Sequence, residues 1–168
     1  MTQRNVNKPT LHRDSVQWQW TAFENLSVAA LHAALQLRAA VFVVEQNCVY
    51  QDVDGLDPSA WHLLGWSRSE PEHLVAYLRV VFPGARFEEV SIGRVVTHPG
   101  WRGRQLGREL MQQGIRHTLS EYAGSAIRIS AQQHLSGFYA SLGFEVCSPP
   151  YREDDIPHVQ MVRRAEPG

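Results

Sequence analysis

The segment HPGWRGRQLGRELMQQGIRH, His98 to His117, gathers residue types that bind anions. Gly103 and Gly107 let a backbone approach a ligand closely. Arg102, Arg104 and Arg108 add positive charge beside them. The run Val95–Val96–Thr97 just before reads as the end of a strand, and Gln105 onward reads as the start of a helix. Such a corner points unpaired backbone N–H groups outward, with the helix dipole behind them. Three arginines in a first helical turn oppose that dipole, because this end of a helix favours anions. A bound phosphate or pyrophosphate resolves the conflict, and such a ligand is the expectation. The plainer alternative is a solvated helix start, and a nucleic-acid patch is the third. The phosphate-binding strings G-x-x-x-x-G-K-[ST] and G-x-G-x-x-G are both absent.

Composition narrows these readings. The net charge is −1, whereas a dedicated nucleic-acid-binding domain is usually clearly basic, so no nucleic-acid partner is expected. The 168 residues suit one domain with a sizeable core. The 43% hydrophobic and 20% charged fractions are those of a globular chain rather than a disordered one. Cys48 and Cys147 lack metal-ligand spacing, so no metal is expected, and free thiols of a cytoplasmic protein are. No apolar run reads as long enough to span a membrane, and the polar start MTQRNVNKPTLHRDS lacks a signal-peptide core. Residues 1–15 are expected to be a frayed segment and residues 16–168 the domain.

The elements that must position the bend follow from periodicity. Val16–Phe23 alternates as a half-exposed strand. Ser27 reads as the N-cap of a helix to about Val41, with Leu31, Ala34, Leu35, Arg38 and Phe42 at helical spacing. The β-branched VFVVEQ predicts its end. Asn47–Ala60, dense in Asp, Gly and Pro, reads as a loop. Trp61–Ser67 and His73–Phe82 predict a hairpin, and Val90–His98 a further strand. The helix over Gln105–Tyr122 has one packing face, Leu106, Leu110, Gly114, Thr118 and Tyr122. Ala126–Gln132 predicts a strand, and LSGFYASLGF a short helix closed by Gly143. FEVCS starts a strand, PPYREDDIP reads as a loop, and HVQMVRR as the last strand. The order β-α-β-β-β-α-β-α-β-β is that of an α/β layered domain on one mixed sheet.

Several of these segments resemble one family. VVTHPGWRGRQLGREL, Val95 to Leu110, is similar to the acyl-CoA-binding motif Q/R-x-x-G-x-G/A of the GNAT N-acetyltransferases, aligned from Arg102 to Gly107. Gln105 stands where the family usually has its first glycine. It is therefore expected to keep an ordinary helical φ, its side chain turned from the phosphates. About 30 residues on, GFYASLGFE resembles the second family signature, A-x-x-F-Y-x-x-x-G-F, with Leu135 at the alanine position. LRAAVFVVEQNCVYQDVDGLDPSAWHLL, Leu37 to Leu64, resembles the N-terminal signature of the ElaA-like branch, as do ISAQQHLSGFYASLGF and YREDDIPHVQM. The likeness runs from about residue 20 to 163.

The resemblance implies a single-domain GNAT-like fold. Its mixed, mostly antiparallel sheet carries helices on both faces and splays between the strand ending at Thr97 and the strand Ile127–Ala131. The implied activity is transfer of an acetyl group from acetyl-CoA to an amine, with a homodimer common among such proteins. The pyrophosphate would sit on Arg102, Gly103, Arg104, Gln105, Leu106, Gly107 and Arg108. The pantetheine arm would pair along Val95, Val96 and Thr97, and Gln132 would touch it in place of a family asparagine. Tyr139 matches the family's tyrosine that protonates departing CoA. Glu45 is the first candidate for the general base and His62 the second, with a water chain as the alternative. The plainer reading of His62 is a satisfied, half-buried histidine. Arg38, Arg79 and Arg94 lie in packed segments and need partners, either Glu45 or Asp54 within the chain or an acidic substrate. Two rival functions stand beside catalysis: a silent CoA-binding or sensing module, and an anion- or nucleic-acid-binding protein using the Arg102–Arg108 bend.

Overall fold

The computed structural model describes residues 15–165. The expected frayed segment, residues 1–15, lies outside that range apart from Ser15. β1 (Val16–Ala22) leads to α1 (Val28–Arg38), where the Ser27 hydroxyl accepts from the Ala30 N–H at 3.0 Å as an N-cap. The buried stripe is Ala30, Ala34, Leu37, Arg38 and Val41, rotated from the expected line through Leu31 and Leu35, which is only half-buried. The helix also continues past its expected end. Residues Ala39–Glu45 take the wider π pattern, with the Gln46 N–H donating to the Val41 carbonyl at 3.0 Å. Crowding by β-branched residues disfavours the tight α turn, and the chain widens the turn instead of ending it. By length and composition Val28–Glu45 is apolar enough to cross a membrane, which corrects the expectation that no such run exists. In this fold it lies on the sheet, with Arg38 fully buried beneath it.

The sheet contains β1, β2 (Ala60–Ser67), β3 (Leu74–Val81), β4 (Val90–Thr97), β5 (Ile127–Gln132), β6 (Glu145–Val146), β7 (Tyr151–Glu153) and β8 (Ile156–Arg163). Its order is β1-β2-β3-β4-β5-β8-β6, with β7 also on β8. Every pairing is antiparallel except β4–β5. β7 replaces part of the expected loop. Asp154 and Asp155 have φ of 49° and 63°, and a two-residue turn of that kind matches the twist of a tight hairpin. α1 packs on one face through Leu64, Tyr77 and Val96. On the other face lie α2 (Leu106–Glu121) and α3 (Ser136–Ala140), covering Leu78, Val80, Ile92 and Ile129. The predicted face of α2 is buried at Leu106, Leu110, Gly114 and Thr118, with Met111 added, while Tyr122 is half-exposed. A Cβ on Gly114 would stand 2.6 Å from Leu78 Cδ2, so glycine lets α2 approach β3 this closely.

Two irregularities shape the centre. β4 carries a bulge: Tyr77 pairs with Val96 and Arg79 with Gly93, so β4 uses one residue more than β3, and Arg94 takes a φ of 53°. Beyond it, β4 and β5 diverge. They pair only at Val90–Ile127 and Ser91–Arg128. The splay expected from the resemblance therefore begins at Ile92, and it opens the sheet towards the C-terminal ends of both strands.

Candidate active site

The splay holds a cleft of about 160 Å³. Ile92, Gly93 and Val95 of β4 form one wall, and Ile129, Ser130 and Gln132 of β5 the other. Phe42 and Gln46, from the widened helical turn, and Tyr139 of α3 also line it. Loss of strand pairing leaves backbone N–H and C=O groups of β4 available to a ligand running alongside, the geometry of an added strand.

A second concavity of about 350 Å³ lies at the end of β4, lined by Thr97, Arg102, Gly103, Gln105, Leu106, Gly107, Arg108 and Phe138. α2 begins there, and no side chain caps its N-terminus. Its first-turn N–H groups are thus left for an anion. A Cβ on Gly103 or Gly107 would meet nothing within 4 Å, so both face open space where a phosphate fits. The arginines have partners in the chain. Arg102 makes a two-pronged ion pair with Glu45 at 2.7 and 3.1 Å. Arg108 donates to Ser141 Oγ at 2.8 Å, and Arg104 stacks on Trp101 and does not line the concavity. His98 caps the short turn after β4, its Nδ1 accepting from the Gly100 N–H at 3.1 Å.

Gln105 corrects the expected helical geometry. Its φ is 64° and its ψ 9°, a left-handed conformation, so it holds the backbone shape that glycine normally supplies. A non-glycine residue bears a cost of about 1–2 kcal/mol in that conformation. Gln105→Gly is therefore expected to stabilise the fold by about 0.5–1 kcal/mol, after the looser unfolded chain is counted. Gln105→Val should do the opposite by more than that, since a β-branched residue resists a positive φ. Denaturant unfolding of both variants checks this, and a Val variant as stable as the parent excludes it.

The candidate catalytic side chains separate sharply. Tyr139 lines the cleft and packs edge-on against Phe138 and Phe144, at 5.1 and 6.2 Å between centroids. Burial pushes its phenol up to about 12, so it is a proton donor at neutral pH. Glu45 is half-exposed, outside the cleft, and held by Arg102. His62 is fully enclosed. Its Nε2 donates to the Asp57 carbonyl at 3.0 Å and its Nδ1 accepts from the Tyr77 hydroxyl at 2.8 Å. Desolvation lowers its pKa and keeps it neutral. With both nitrogens engaged and no opening to the cleft, His62 has the geometry of a satisfied core histidine and not of a base. Gln132 lines the cleft as expected, its amide donating to Gln46 Oε1 at 3.2 Å.

The sequence profile of the acetyltransferase (GNAT) domain matches residues 64–165. The chain belongs to the GNAT family. A UPF0039 protein of Synechocystis is 44% identical over 90% of this chain and 97% of its own. The crystal structure of Escherichia coli ElaA is 41% identical, with a TM-score of 0.82 over 89% of this chain and 99% of that one. A Pseudomonas aeruginosa structure described as an acyl-CoA N-acyltransferase is 40% identical, with a TM-score of 0.84 over the same shares of the two chains.

In this GNAT domain the three packed arginines find carboxylates of the 47–60 loop. Arg38 binds Asp52 at 2.9 Å and Asp57 at 2.8 Å. Arg79 binds Asp54 at 2.5 Å and Asp57 at 2.8 Å. Arg94, turned by the bulge, reaches Asp52 at 2.8 Å and Asp54 at 3.2 Å. Asp54 is thus a partner, as expected, whereas Glu45 is not. Asp52 and Asp57 are the partners missed from sequence, where they looked like ordinary loop residues. Burial alone would raise the carboxyls of Asp54 and Asp57, but hydrogen bonds and charge from Arg79, with Arg38 acting on Asp57, hold both below the usual range. A carboxyl depressed in the folded state contributes stability above its unfolded value of about 3.9, and loses it as pH falls further. The melting temperature is therefore expected to drop below about pH 4, and Asp54→Asn should flatten that drop. An unchanged melting temperature at about pH 3 would exclude this account.

Proposed function

We propose that this GNAT domain transfers an acetyl group from acetyl-CoA to a primary amine of a small molecule or peptide, by direct attack in a ternary complex. The observation that carries the reading is the continuity of three features. The uncapped start of α2 lies at one end, the unpaired edge of Val95–Thr97 runs from it, and the Tyr139 phenol borders the cleft to which that edge leads. The α2 cradle would hold the pyrophosphate, with Gly103 and Gly107 giving it room. The β4 edge would hold the pantetheine arm by strand-like hydrogen bonds. A backbone N–H on Val96–Thr97 would stabilise the oxyanion that forms on the thioester carbonyl. Tyr139 would then donate a proton to the departing thiolate.

Release of free thiol from acetyl-CoA, measured across aminosugars, polyamines, amino acids and lysyl peptides, tests the proposal. Amine-dependent release with a defined N-acetyl product is expected. Tight CoA binding with no release on any amine overturns it in favour of a silent CoA-binding module. Binding of nucleic acid that weakens with salt and is unaffected by CoA would point to the anion-binding alternative.

A further inference from the structure

An ammonium group must lose a proton before it can attack a thioester, and neither Glu45 nor His62 opens to the cleft. His158 of β8 does. It sits opposite Gln132 of β5 and Tyr151 of β7. Its Nδ1 lies 2.7 Å from the Ile156 carbonyl. A carbonyl only accepts, so Nδ1 carries the proton and Nε2 keeps the basic lone pair. Nε2 has no hydrogen-bond partner among the described residues, and the residue lines the cleft.

The ring is also held in place. It stacks on Tyr151, at 6.1 Å between centroids with planes 28° apart. The Tyr151 hydroxyl in turn bonds to Ser130 Oγ, and Ser130 donates to Glu153 Oε2 at 2.9 Å. Glu153 accepts from Arg86 at 3.2 Å on its other oxygen. Of the carboxylates that line the cleft, Glu153 is therefore occupied on both oxygens and Asp154 is an exposed residue of the turn between β7 and β8, while the histidine is fixed in tautomer, oriented and free at Nε2. That is the arrangement of a general base.

We propose that His158 is the catalytic base of the transfer, taking the proton of the acceptor ammonium on Nε2. This rests on the acetyl-transfer reading above. R–NH3⁺ gives one proton to Nε2, and the neutral nitrogen forms the C–N bond to the thioester carbonyl. The C–S bond then breaks as Tyr139 protonates sulfur. The second nitrogen proton restores the Tyr139 phenol. One proton leaves to solvent from His158, which balances R–NH3⁺ and acetyl-CoA against amide, CoA thiol and H⁺.

Two substitutions separate base from scaffold. His158→Asn keeps an N–H donor for the Ile156 carbonyl but lacks the basic nitrogen, and His158→Ala removes both. With the panel amine that the parent turns over fastest, kcat/KM is expected to fall about 100-fold in each. Acetyl-CoA affinity and melting temperature of His158→Asn should stay at parental values. Added imidazole should restore part of the His158→Ala rate and none of the loss in Tyr139→Phe. Activity of His158→Asn within about threefold of the parent overturns the assignment, since loss of one acid–base catalyst is larger than that. If the parent acetylates no amine, the transfer reading itself fails, and a ¹⁵N–¹H spectrum of the parent still decides the geometry. It should show His158 protonated at Nδ1, and an Nε2–H tautomer overturns the proposal.

Discussion

Replacing Asp57 with asparagine is expected to destabilise the fold by about 3–5 kcal/mol, the usual cost of stranding a buried charge. Asp57 is 4% exposed and accepts from Nη1 of both Arg38 and Arg79, each at 2.8 Å. Those guanidiniums are themselves 0% and 1% exposed, so water cannot take over when the carboxylate goes. An amide fills the same space but leaves the cluster with an uncompensated positive charge. Total stability of a domain is about 5–15 kcal/mol, so the variant should unfold at much lower denaturant and accumulate poorly as soluble protein. Asp54→Asn should cost less, because the Asp54 side chain is 25% exposed and solvent there softens the loss. Chemical denaturation of the two variants side by side gives the comparison, and equal losses would contradict the burial argument.

Tyr139→Phe is expected to lower kcat about 100-fold while leaving acetyl-CoA affinity and stability near the parental values. The phenol hydroxyl makes no hydrogen bond within the described chain, so its removal strands no partner. The ring keeps its edge-on contacts with Phe138 and Phe144. A fall in turnover would then report the hydroxyl alone. Burial keeps the phenol protonated, which suits a donor to a leaving thiolate and not a base. Turnover and calorimetric CoA binding, measured on one preparation, test both halves, and a fully active variant removes Tyr139 from the mechanism.

The arginine bend was legible because its charge conflicts with a helix dipole, a contradiction visible in residue types alone. The packing face of α2 was legible for the same local reason, a period of 3.6. Asp52 and Asp57 were not, because a loop aspartate carries no mark of which arginine it will meet. Glu45 was placed near the chemistry by its position after an apolar run. Its pairing with Arg102 joins residues 57 apart in sequence, a distance no local pattern encodes. β7 escaped for a similar reason: three residues become a strand only because β8 lies beside them. The left-handed Gln105 ran against its own side chain, and only the corner between β4 and α2 imposes that φ. His158 stood out only as part of YREDDIPHVQM and the start of the last strand, since its fixed tautomer depends on a carbonyl two residues away.

The bulge at Arg94 has a consequence for how β4 can be altered. In an unbroken strand, residues two apart face the same way. Ile92 packs with α2 and α3 on one face, yet Val96 packs with α1 on the other. The extra residue reverses parity midway along the strand, so Val96 faces the layer opposite Ile92 although the two lie four residues apart. Excising Arg94 would restore strict alternation with Arg79 still opposite Gly93 and Tyr77 still opposite Val96, so Val96 would keep its layer. It would, however, remove the arginine that binds Asp52 and Asp54. Identity at this point of the chain is therefore more tightly constrained than length: the extra residue turns Arg94 onto two carboxylates, while the strand keeps its pairing on either side of it as far as Thr97.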